Sequence, residues 1–194
     1  MPQFYETQIG QQRTALKKEE YVEACLLFQR RYGRLRYAPL KSGIALALCA
    51  AFVVNAFSNM SFRTTGEVLL QALATVLALA GFGWLAHYFF FGMKKKEAEW
   101  AGKNYEKSLL PGIEEEKTAY RDSFEVKNEC ETMTGFWSEC GGCCRKGDLL
   151  VVNTAQNLSR NMLVFQKSAM AGGEYEKLCE HLKFVFVKRY QESR

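Results

Sequence analysis

Residues 68–91 read VLLQALATVLALAGFGWLAHYFFF, a run that holds no Asp, Glu, Lys or Arg. As a helix rising about 1.5 Å per residue it reaches roughly 36 Å, enough to cross a hydrocarbon core of about 30 Å with some tilt. Its Leu, Val and Phe side chains each favour insertion by roughly 0.3–0.6 kcal/mol, which outweighs Gln71 near one end and His87 near the other. The stretch therefore reads as a membrane span, and the rest of the chain is organised around it.

A second apolar run precedes it. Gly43 to Phe62 carries Ile44, Leu46, Leu48, Phe52, Val53, Val54 and Phe57, diluted by Ala and interrupted by Asn55, Ser58 and Asn59. Beside the stronger span it reads as the other half of a transmembrane hairpin over 40–96, with Asn55 toward the far end, where an amide is cheapest to place. Arg30, Arg31, Arg34, Arg36 and Lys41 precede the first span and Lys94, Lys95 and Lys96 follow the second. The connection offers only Arg63, offset by Glu67. Positive charge collects on the cytoplasmic side, so both termini are expected there. About forty mostly polar residues before the first apolar run argue against a signal peptide.

Charge follows the same division. Residues 1–96 hold 12 basic and 5 acidic side chains, against 14 and 16 in residues 97–194. The basic surplus lies on the membrane flanks, where anionic headgroups sit, so a pI near 8.8 does not argue for nucleic acid. The bilayer, with anionic headgroups at its inner leaflet, is the expected partner, beside a membrane or cytoplasmic protein.

The N-terminal arm, 1–39, suits a short strand over Phe4–Ile9. From Lys17 onward Tyr21, Cys25, Phe28 and Tyr32 share one helical stripe, which predicts an amphipathic helix on the inner membrane face or docked on the C-terminal domain. Residues 97–104 continue the second span as helix. Over 97–194 the runs Thr118–Val126, Leu149–Asn153 and Met162–Gln166 are parted by turn residues such as Gly135, Lys146-Gly147-Asp148 and Gln156-Asn157, the pattern of short antiparallel strands. After Gly172-Gly173 a last helix aligns Tyr175, Leu178, Cys179, Leu182, Val185 and Phe186. The expected class is an α+β membrane protein whose β-sheet domain is closed by a C-terminal helix.

Trp137-Ser138-Glu139-Cys140, a following hairpin, the strand Leu149-Leu150-Val151-Val152, the run Leu163 to Met170 and a Glu-rich final helix together resemble the YcxB-like family of bacterial membrane proteins. The helix near Glu19-Glu20-Tyr21 ahead of two spans extends the likeness along the whole chain. Gln166 stands where that family usually has Pro, and cysteines occupy apolar strand positions. The resemblance implies a cytoplasmic domain like a pleckstrin-homology (PH) barrel, a bent antiparallel sheet capped by a helix, at the bacterial inner membrane. It implies no particular chemical activity.

Cys140-Gly141-Gly142-Cys143-Cys144, with Cys130 upstream and Cys179-Glu180-His181 downstream, is the one cluster that points to chemistry. Two residues between thiols suits a zinc knuckle or a dithiol redox pair. A structural zinc needs four ligands, and no second Cys-x-x-Cys pair exists. The favoured reading makes Cys140 and Cys143 small hydrophobes along the strand after Trp137. Seven cysteines in cytoplasmic and membrane-side segments argue for thiols over a disulfide framework. His87 reads as an interfacial residue and His181 as a surface one. No phosphate loop, His-Glu-x-x-His or nucleophile elbow occurs. No catalytic, cofactor or metal site is therefore assigned. The expected function is a non-enzymatic, membrane-anchored module that binds a protein, peptide or lipid headgroup; the alternative is a thiol- or zinc-dependent activity at Cys140, Cys143 and Cys144.

Overall fold

The computed structural model describes residues 7–58, 64–108, 111–154 and 162–193. The chain is α+β and divides into two compact units, one made of residues 32–97 and the other of residues 1–31 together with 98–194. The expected strand from Phe4, the connection at Arg63 and the turn at Gln156-Asn157 fall wholly or partly outside the described residues.

Residues 32–97 form a helical hairpin. Helix α2 spans Ala38–Ser58 and α3 spans Thr65–His87. A π-helical turn over Tyr88–Gly92 then leads into α4, Met93–Lys107. The Ser42 hydroxyl, near the start of α2, donates 3.1 Å to the carbonyl of Ala86, near the end of α3, so the helices run antiparallel. Their contact is made by small side chains: Ala38, Ser42, Ala45 and Ala56 are buried on α2, and Thr75 and Ala86 on α3. Large apolar side chains point outward instead. Leu46, Leu48, Phe57, Leu70, Leu73, Leu77 and Trp84 are all more than half exposed. Thr64 caps α3 through a reciprocal box with Glu67, whose carboxylate accepts the Thr64 N–H at 2.9 Å. In the π turn a side chain at Gly92 would lie 2.7 Å from the Tyr88 ring, so glycine admits that ring.

The other unit holds two four-stranded sheets. The first is antiparallel in the order β1-β2-β3-β4, with β1 Gln8–Thr14, β2 Glu115–Tyr120, β3 Ser123–Lys127 and β4 Thr132–Phe136. The second runs β7-β6-β5-β8, with β5 Gly142–Lys146, β6 Leu149–Asn153, β7 Met162–Gln166 and β8 Tyr190–Ser193. All its pairs are antiparallel except β5 with β8. A bridge between Gln12 and Met170 ties β1 to the segment after β7.

Side chains of both sheets and of helix α5, Glu174–Phe186, meet in one core that includes Phe124, Trp137, Leu150, Phe165, Leu178 and Leu182. Trp137 is 1% exposed and donates its indole N–H to the carbonyl of Tyr120 at 2.9 Å, which satisfies the polar end of a buried ring. Gly135 lies directly across from Phe124, whose ring would sit 2.6 Å from any Cβ there; the bare backbone makes room for it. The back of the second sheet carries the row Cys144–Val151–Val164, in register across three strands. Helix α1, Lys18–Arg31, covers that back through the buried Ala24, Cys25 and Leu27.

Several expectations change here. The run Thr118–Val126 is two strands folded at Arg121-Asp122, and the first strand begins three residues earlier, at Glu115. Trp137–Glu139 is a 3₁₀ turn, so Cys140 follows a turn and lies off the strand. The residues expected as an arm supply β1 and α1 to the same unit as the C-terminal residues. The strand β8 was not expected at all, because Tyr190-Gln191-Glu192-Ser193 is mostly polar and shows no alternation.

Candidate functional site

The cysteines do not form a reactive constellation. Successive residues of a strand face opposite ways, so Cys143 enters the core beside Val152 while Cys144 faces the back under α1. Cys140, Cys143, Cys144 and Cys179 are all buried, whereas Cys130 is exposed; all are free thiols. Burial raises the Cys140 thiol to about 11 and the Cys144 thiol to about 12, and shifts Cys143 and Cys179 upward as well. Thiolates are the nucleophiles and the metal ligands, and these groups stay protonated at neutral pH. Among the described residues no group of three or more His, Cys, Asp or Glu side chains is placed to hold a metal ion. The ring of His181 lies 2.6 Å from the carbonyl of Arg121, and His87 rests against Phe91 with ring centroids 5.2 Å apart.

A different feature of the β unit has the form of a binding site. A cavity of about 490 Å³ lies between α1, α4 and the strands, within the range of small-molecule sites. Tyr21, Cys25 and Phe28 of α1 wall it on one side, with Trp100 of α4 and Leu163 and Val164 of β7 beside them. The helices are fixed against each other at its rim. The Tyr105 hydroxyl donates to the carbonyl of Leu16 at 2.6 Å, and Lys18 pairs with Glu106 at 2.5 Å. Burial raises the Tyr21 phenol to about 12, so it stays neutral in that wall.

At one side of this apolar chamber sits an ion pair. Glu115 and Lys117 lie 3.2 Å apart with side chains each 3% exposed, and both line the cavity. Alternation explains their position: Glu115, Lys117 and Ala119 share the inward face of β2, and Ala119 belongs to the core. Gln12 stands directly across from Lys117 in the β1–β2 register, hence on the same face, and is fully buried. Its Oε1 accepts the backbone N–H of Gln166 at 2.7 Å. A proline at position 166 could not donate that bond. The side-chain nitrogens of Gln12 and Gln166 are buried and meet no hydrogen-bond partner among the described residues.

The sequence reading missed this site because it started the strand at Thr118, leaving the two charges outside it. The available signal was the period-2 alignment of Glu115 and Lys117 with Ala119. Compared with known proteins, the chain matches no family model, no curated sequence and no solved structure.

Proposed function

We propose that this chain is a non-enzymatic, membrane-anchored binding module whose hairpin of α2 and α3 crosses the bacterial inner membrane and holds a PH-like, YcxB-like β unit at the cytoplasmic face. One observation carries the reading. Strand β1 and helix α1 precede the hairpin, yet β1 pairs with β2 from beyond it, and both belong to the same compact unit. A chain that inserts between two strands of one sheet must return to the side it left, so it crosses an even number of times.

The character of the helices supports insertion. Both are long and apolar enough to span, with only 22% of the first apolar window and 6% of the second buried. A soluble core helix buries its large apolar side chains; these bury small ones and expose the Leu and Phe, the arrangement of helices packed together in lipid. The basic flanks support a cytoplasmic position for both ends. Two four-stranded sheets around one core, closed by α5, support the PH-like expectation, and the buried, protonated thiols favour binding over thiol chemistry.

Membranes washed with alkaline carbonate test the anchor. The protein is expected to stay in the pellet. Release into the supernatant would overturn the spanning assignment.

A further inference from the structure

We infer that the cavity beneath α1 binds an uncharged amphiphile, a molecule with an aliphatic or aromatic body and an uncharged polar group at its buried end. The inference deepens the binding-module reading and rests on it only in treating the β unit as a binder.

The body follows from the walls. Phe28, Trp100, Leu163 and Val164 present apolar surface to about 490 Å³, which suits a compact hydrocarbon or ring. The head follows from charge. Glu115 and Lys117 already neutralise one another at 3.2 Å in a place almost closed to water. An anionic head would meet Glu115, and a cationic one Lys117, and either would leave a net charge buried in a poor dielectric. A neutral head avoids that cost.

The polar end follows from the same ion pair. An uncharged oxygen or nitrogen can hydrogen-bond beside Glu115 and Lys117 without adding a net charge to the wall.

The test uses the full chain in lipid nanodiscs and an alkyl ketone bearing a photoreactive diazirine. Cross-links are expected within residues 16–29, 100–117 or 162–164. 2-Decanone should displace the probe at concentrations at least tenfold lower than decanoate or decylamine. Ile113→Trp, which fills the chamber from a half-buried wall position, should cut labelling at least tenfold with the melting temperature retained. Glu115→Gln combined with Lys117→Met keeps the walls and should abolish the preference for 2-decanone over decane, which decides the matter if the tryptophan variant fails to fold. Labelling confined to residues 38–92, equal competition by the charged compounds, or an unchanged double variant would overturn the inference. Carbonate extraction of the same preparations reads the anchor separately, so a failed ligand leaves that reading standing.

Discussion

Lys117 is the side chain whose removal should hurt most for its size. Its ammonium and the Glu115 carboxylate are buried together, so Lys117→Met strands a lone charge beside an apolar chamber. Breaking such a pair from one side costs roughly 3–5 kcal/mol, whereas replacing both partners at once is often near neutral. Denaturant unfolding of the purified chain should show a large loss for Lys117→Met and a much smaller one for Glu115→Gln with Lys117→Met. Equal losses would mean that the pair is not closed off from water. Trp137 makes the corresponding apolar case. It fills the core and has its indole N–H satisfied, so Trp137→Ala should cost about 3–5 kcal/mol. Glu176→Ala removes an exposed pair with Lys167 and should be nearly neutral.

At the scale of the element, β5 shows how a strand covered on both faces treats its polar atoms. Cys143 and Cys144 face the core and α1 respectively, and Cys140 enters the core from the preceding turn. Folding favours their neutral thiols, because burial raises them above the ordinary value of 9.0. The sign follows from linkage: a group whose folded value is raised stabilises the fold below its unfolded value and loses that contribution as pH climbs through the folded one. Stability should therefore decline from about pH 9 upward. Melting temperatures measured across pH 8 to 11 should fall less steeply for a Cys143→Val, Cys144→Val variant, and parallel curves would count against buried thiols as the cause. Elements with strong patterns were legible in the chain itself. Leu149–Asn153, Met162–Gln166, α1 and α5 emerge where apolar periodicity and flanking glycines agree. The strands β1 and β8 were not, because Gly10, Gln11, Gln12 and Tyr190 to Ser193 pair through backbone hydrogen bonds while showing no apolar alternation. The cavity was invisible for a related reason: it is lined by five separate stretches of chain, and its polar pair lies on a strand face that composition alone marks as solvated.

For the whole molecule, the decisive relation is between strand pairing and insertion. The segments that flank the hairpin share a sheet, and the hairpin between them exposes its largest apolar side chains. With the proposed insertion, those two facts predict both flanks on one side of the bilayer and the connection between the helices on the other. Single cysteines report this most directly in intact cells when Cys130, the exposed native thiol, is first changed to Ser. With Thr64→Cys an impermeant maleimide should label the protein from outside. With Arg13→Cys or Lys188→Cys, labelling should occur only after permeabilisation. Labelling of position 13 or 188 in intact cells together with protection of position 64, or labelling of 13 and 188 on opposite sides, would contradict the account.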